Sequence, residues 1–206
     1  MLFPILMFPV ALLLLILYST PIMTRTPGPS AIIDTLFEAA EQGEADSQFK
    51  LGQAYAHGRG VKQNYAKAVQ WYRQAAEKGN LFAQNNLGGM YFNGNGVPQD
   101  SAEAVKWFHK AADQGHAVSQ FNLGVMYLKG SGVPRDSAQA VKWFRKAAEQ
   151  GNADAQFNLG VMYDNGSGIP EDYAESVKWF RKAADQGDTD AYIILRKMHK
   201  FRRDII

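Results

Sequence analysis

The tightest constraint on this chain is a phrase that returns at constant pitch. Trp71, Trp107, Trp143 and Trp179 stand 36 residues apart, and Gly43, Gly79, Gly115, Gly151 and Gly187 keep the same step. Self-similarity at a period of about 20–50 residues marks a stacked repeat array. Each unit of such an array touches only its neighbours, so it forms an extended surface in place of a central cavity. Extended surfaces bind chains, and the period therefore bears on function as well as on fold.

One unit, residues 116–151, divides into two helical patterns. In the first, Ser119, Leu123, Met126 and Tyr127 fall on one stripe of a 3.6-residue helix. Gly124 lies beside that stripe, and a glycine inside a helix costs about 1 kcal/mol against alanine. The same cost recurs at Gly52, Gly88 and Gly160, which implies that a neighbouring helix approaches closely there. The helix should end near Gly130, where a left-handed cap needs no Cβ. The phrase G-S-G-V-P next to it is a turn composition. Asp136 with Gln139 has the spacing of a capping box opening the second helix, as do Asp100 with Glu103 and Asp172 with Glu175. The first unit has Asn64 and Lys67 instead, and its second helix is expected to be less well capped. Ala140, Val141, Phe144, Ala147 and Ala148 form the buried face of the second helix, with Trp143 at its edge and Gly151 at its stop.

Each unit is thus a helix–turn–helix hairpin that buries its apolar faces only by stacking on neighbours. A leading helix at 31–43 matches the second half of a unit through Ile32, Ile33, Leu36, Phe37, Ala39 and Ala40. Four full units come next, at 44–79, 80–115, 116–151 and 152–187. A closing helix at 188–203, with Arg196 in place of the repeated glycine, is expected to cap the array with a polar outer face. The expectation is an all-α chain of ten helices, with the array occupying residues 31–203.

The phrases A-x-A-Q-F-N-L-G-V-M-Y, G-x-G-V-P-x-D and A-V-K-W-F-R-K-A-A-x-Q-G resemble the Sel-one-like repeat, a subclass of the tetratricopeptide-type helical repeats. The resemblance covers residues 44–187. It implies a right-handed α/α superhelical solenoid and a non-enzymatic adaptor or scaffold role in protein complexes. It names no ligand. Some relatives carry a disulfide in each repeat; this chain has no cysteine and departs from that branch.

Little else in the sequence carries chemistry. The net charge of +2 argues against a general grip on nucleic acid. His57, His109, His116 and His199 occupy different columns of the repeat and have no spaced partners, so no metal site is expected. The G-x-G turns lack a following Lys-Ser/Thr and do not follow strands, so no phosphate loop is expected. No catalytic group and no cofactor are assigned. A polar constellation unique to one unit would favour the competing reading, an enzyme or a binder of cell-wall polymer or carbohydrate; none stands out.

Residues 1–23 hold no Asp, Glu, Lys or Arg, and their length suits a membrane span. The short leucine-rich centre equally resembles the apolar core of a signal peptide. Both readings stand, and both associate the chain with a membrane through this segment, with residues 24–30 as a linker; a buried core helix ranks third, because Thr26-Pro-Gly-Pro-Ser separates the segment from the array. Arg25, after the run, favours a cytoplasmic array, whereas N-terminal segments of this kind usually export the domain attached to them. Export to an extracytoplasmic space is the favoured reading.

By analogy with tetratricopeptide units, the first helices line the concave surface, and a partner protein or peptide would lie there. The contact columns are Asp46, Phe49, Gln53 and Ala56 in the first unit; Phe82, Asn85, Gly89 and Phe92 in the second; Val118, Phe121, Val125 and Leu128 in the third; and Asp154, Phe157, Val161 and Asp164 in the fourth. Phe121 and Phe157 are expected to pack between units. The partner-binding candidates are Phe82, Phe92, Val118, Val125, Leu128 and Val161. Phe92 and Leu128 lead, because Ala56 and Asp164 in the same column imply tolerance of small or charged side chains. Gln84, Gln120, Gln156, Asn122 and Asn158 recur in register and are expected to bond the adjacent helix.

Overall fold

The computed structural model describes residues 29–203. Ten helices and no strand occur among them. They are α1 (Pro29–Glu41), α2 (Ala45–His57), α3 (Tyr65–Glu77), α4 (Leu81–Asn93), α5 (Ser101–Asp113), α6 (Ala117–Lys129), α7 (Ser137–Glu149), α8 (Ala153–Asn165), α9 (Tyr173–Asp185) and α10 (Thr189–Arg203). The apolar leader at 1–23, and with it the expected anchor or signal, lies outside the described residues. Among those described, no helix is long and apolar enough to cross a membrane.

Each unit is a hairpin: α2 with α3, α4 with α5, α6 with α7, α8 with α9. The first helices end at Gly58, Gly94, Gly130 and Gly166, all left-handed. A Cβ at Gly124 would stand 2.5 Å from the Phe144 ring of α7, and Gly52, Gly88 and Gly160 face Tyr72, Phe108 and Phe180 in the same way. The propensity cost of these glycines thus lets an aromatic ring of the second helix lie directly on the backbone of the first. The turns make a second close approach. A Cβ at Gly132 would stand 2.2 Å from the Ser101 carbonyl oxygen, so the loop of the third unit rests on the start of the second helix of the second.

Caps differ from the expectation in two respects. Asp100, Asp136 and Asp172 accept from the backbone N–H three residues on at 2.9, 3.0 and 3.0 Å. Their own N–H groups, however, donate to the carbonyls of Tyr91, Tyr127 and Tyr163 across the turn. The return half of the capping box is therefore unnecessary, and Glu103 and Glu175 turn to Lys106 and Lys178 at 2.8 and 2.7 Å. The first unit is not less well capped. Asn64 accepts from Lys67 N at 3.0 Å, and its N–H reaches Tyr55 O at 2.8 Å. An asparagine carbonyl caps as well as a carboxylate.

The expected core positions Ala140, Val141, Phe144, Ala147 and Ala148 are buried, as are Ser119, Leu123 and Met126 on the facing helix. Trp143 does not sit at an edge, although Trp71 of the first unit is only partly buried. Trp107, Trp143 and Trp179 are buried; Trp143 joins Val105, Phe108, Leu123 and Met126 in a cluster spanning two units. The ammonium of Lys110, Lys146 or Lys182, three residues on, lies 4.0–4.4 Å from the ring centroid, so an aliphatic stem covers the side that would face water.

Amides stitch unit to unit. Gln84, Gln120 and Gln156 donate to Ala76, Ala112 and Ala148 carbonyls at the end of the preceding unit, and accept from Gln114, Gln150 and Gln186 at the end of their own. One buried carboxamide thereby ties three consecutive helices. In the first unit Lys78 stands where Gln114 would be, and it bonds the Gly43 carbonyl. Asn122 reaches across to Asn85 at 3.3 Å, but Asn158 departs from the expectation and bonds Asp154 O in its own helix.

The closing helix α10 is capped by Asp188, which accepts from Ala191 N at 2.8 Å. Its outer face is not wholly polar, because Tyr192 and Ile193 are exposed.

Candidate interaction groove

The first helices α2, α4, α6 and α8 lie side by side along one face. On that face the second unit breaks the pattern at two positions one helical turn apart. Phe49, Phe121 and Phe157 occupy one column, and there the second unit has Asn85. Gln53, Val125 and Val161 occupy the other, and there it has Gly89. The phenylalanines lid the buried ring of their own second helix: Phe121 sits 5.8 Å from Phe144, Phe157 5.6 Å from Phe180, and Phe49 6.0 Å from Tyr72. Among the described residues no phenylalanine lids Phe108 in this way. A Cβ added at Gly89 would meet nothing within 4 Å.

The two departures open a groove of about 340 Å³. Asn85, Asn86, Asn93 and Asn95 come from the second unit, Ala56, His57, Gln63 and the exposed Tyr65 from the first, and Asn122 from the third. Tyr72, Met90 and Phe108, all buried, form the floor. No Asp, Glu, Lys or Arg is among its lining residues. A second hollow of about 70 Å³ shares Phe108 and Asn122 with it and is otherwise bounded by Phe92, Val125 and Met126.

The asparagines are held in a network. Asn85 Oδ1 accepts from Ser119 Oγ at 2.9 Å and from Asn122 Nδ2 at 3.3 Å, while its Nδ2 donates to Asn86 Oδ1 at 3.4 Å. Burial raises the Tyr72 pKa, partly offset by a bond with the Asn86 side chain, so the phenol stays neutral. His116 supports the far side. Its Nδ1 caps α6 by accepting from Ser119 N at 3.3 Å and lies 2.9 Å from Ser119 Oγ. Burial lowers its pKa, which keeps the ring neutral and able to accept.

The six residues expected to bind a partner fall into three environments. Phe92 and Val125 border the apolar hollow. Phe82 and Val118 are exposed at the N-terminal ends of α4 and α6, with Phe82 between Phe49 at 5.8 Å and His116 at 5.4 Å. Leu128 and Val161 are half-buried against the interior, Leu128 beside the cluster of Met162 and Tyr163, and Val161 beside Phe180 and Ala191. The column of Phe92 and Leu128 is not uniformly tolerant of polarity, because Ala56 is buried while Asp164 is exposed. The polar constellation that does not stand out in the sequence exists in the second unit, and it is the feature that counts towards the competing enzyme or carbohydrate reading. Its signal is the coincidence of Asn85 and Gly89 as departures in one hairpin. Among the described residues, no group of three His, Cys, Asp or Glu side chains could hold a metal ion.

This architecture defines a class: an all-helical solenoid whose hairpins repeat every 36 residues and present their first helices along one face. The model of the Sel1 repeat matches residues 45–80, 81–116, 117–152 and 153–188, so the chain belongs to the Sel1 repeat family. Among solved structures, it is similar to a protective antigen of uropathogenic Escherichia coli that displays an SLR fold (45% identity over 77% of this chain and 34% of that one, TM-score 0.76). A Sel1 repeat protein from Oxalobacter formigenes is 40% identical over 82% of this chain and 49% of its own, also at 0.76. Cysteine-rich protein B of Helicobacter pylori is 27% identical over 66% of this chain and 97% of its own, with a TM-score of 0.52. The chain thus spans a third to a half of the length of the first two. No curated protein matches it. Sel1 repeat proteins are generally protein-interaction scaffolds.

Proposed function

We propose that the chain is a non-enzymatic scaffold that holds a peptide segment of a partner protein against its first-helix face. The segment at 1–23 would tether the array to a membrane or direct its export. The observation that carries the binding reading is the groove opened by Asn85 and Gly89. The other units fill these columns, so the second unit has given up packing to leave a polar concavity that adjoins the hollow bounded by the exposed Phe92. Surrendered packing without structural gain is a mark of a site. The membrane reading rests on the uncharged length of residues 1–23.

Affinity purification with the full chain and with its Phe92→Asp variant tests the binding reading. A protein retained by the first and lost by the second is the expected result. Saturable binding of a cell-wall glycan with no protein partner would overturn it in favour of the carbohydrate reading. Mass spectrometry of the mature N-terminus tests the segment: an intact Met1 in the soluble pool would contradict both anchor and signal.

A further inference from the structure

The groove has a composition that specifies its ligand more narrowly than its location does. We infer that the second unit binds an internal, uncharged, extended peptide stretch, its main chain bonded by the asparagines and one short aliphatic side chain seated beside Phe92 and Val125. This rests on the proposed function and sharpens it.

A carboxamide carries the same donor and acceptor as a peptide group, so each can pair with an N–H and a C=O of one extended residue. Asn93 and Asn95 stand along the groove with carboxamides outside the network, and Asn122, one N–H of which is held by Asn85, presents its Oδ1 where the groove meets the apolar hollow; Asn86 is engaged by Asn85 and Tyr72. An extended chain points successive side chains to opposite faces at about 3.3 Å per residue. A main chain lying on the asparagines therefore sends every second side chain down towards the helices. At Gly89 the absence of a side chain lets the main chain approach closely. Beyond Asn122, the hollow bounded by Phe92, Val125 and Met126 receives a side chain without polar atoms.

The charge pattern excludes other occupants. An ionised side chain entering the groove would lose water and find no countercharge among the lining residues, which is costly. A terminal carboxylate would meet no Lys or Arg there, so the stretch is internal. Tyr72 and Phe108 are buried in the core and offer little ring face for a sugar, which leaves Tyr65, 41% exposed, as the aromatic face among the lining residues that a glycan would use. The adjoining apolar hollow also has no use for a hydroxyl.

The test is selection of phage-displayed dodecapeptides on the immobilised full chain, with an N-acetylglucosamine tetramer as the carbohydrate probe. The decisive variant is Asn85→Phe with Gly89→Val, which installs the residues that the third and fourth units already carry. The fold has room at Gly89, and Ser119 keeps His116 as a partner. Selected peptides should share a neutral stretch with an aliphatic residue. The double variant should bind them at least about tenfold more weakly, a change that lies in affinity, while its circular dichroism and melting match the wild type. Undiminished binding by the folded variant would overturn the inference but leave the scaffold reading intact, since peptides would then bind elsewhere. Enrichment of acidic or basic peptides lost by the variant would overturn the neutral specificity. Selection of no peptide would contradict inference and proposed function together, and saturable tetramer binding would then assign the groove to carbohydrate.

Discussion

Alanine at Gly124 tests the packing logic of the repeat. The new Cβ would lie 2.5 Å from both Cδ1 and Cε1 of Phe144, whereas carbon atoms rest at about 3.5–4.0 Å. The ring is fully buried, with Ala140 and Ala147 beside it on the same helix, also fully buried. It has nowhere to retreat, so α6 and α7 must separate. Overpacking of this kind costs about 1–3 kcal/mol. Against it stands the helix-propensity gain of about 1 kcal/mol for replacing glycine. The balance should be a loss of up to about 2 kcal/mol, which lowers the melting temperature by up to roughly 8 °C in a chain of this length. Gly89→Ala is the matched control, because its Cβ meets nothing within 4 Å. It keeps the propensity gain alone and should melt roughly 2–4 °C above wild type. Thermal denaturation followed by far-ultraviolet circular dichroism separates the two. If Gly124→Ala melts higher than wild type, as Gly89→Ala should, the glycine column is not there to admit the ring.

Phe92→Asp should leave stability within about 0.5 kcal/mol, as an exposed site does, whereas Leu128→Asp should lose about 1–3 kcal/mol; urea denaturation compares them, and equal losses would contradict the placement of Leu128 against the interior. Gln120→Ala should destabilise by about 1–2 kcal/mol, since it removes bonds to Ala112 and Gln150 at once; loss of slow amide exchange at the junction of the second and third units would report it. His109 and His116 both have pKa values lowered by burial from 6.5. The folded state therefore binds fewer protons there than the unfolded chain, so their contribution is complete above about pH 6.5 and falls as pH drops through the lowered values. Melting should fall between about pH 7 and 5, and His116→Asn, which supplies the cap used at Asn80 and Asn152, should flatten that slope; an unchanged slope would show that His116 does not couple protonation to folding.

The regular part of the fold is legible in the sequence because each unit repeats it. The stripe of Ser119, Leu123 and Met126, the face of Phe144 and the cap at Gly130 follow from helical period and glycine chemistry alone. Trp143 reads as an edge residue because one isolated helix shows its own stripe and not the neighbouring unit that closes over it. The capping box at Asp136 reads as reciprocal because the acceptor that satisfies its N–H, Tyr127 O, lies nine residues back across a turn. Asn64 is undervalued for the same local reason. The groove is the least legible part. A consensus draws the eye to what recurs, whereas Asn85 and Gly89 matter by failing to recur. Their effect also depends on a ring, Phe108, whose exposure only the stacked hairpins determine. Leu128 shares a column with Phe92, yet it packs beside Met162 and Tyr163 of the next unit while Phe92 stays exposed.

On the proposed function, partners bind on the first-helix face of the second unit. The most direct measurement is site-specific photo-crosslinking in the full chain, with a benzophenone amino acid replacing Phe92 in one variant and the exposed Lys142 of the second-helix face in another. A partner adduct is predicted from position 92, carrying the label within a neutral stretch of the partner, and none from position 142. Adducts from position 142 with none from position 92 would place the interface on the opposite face and contradict the claim.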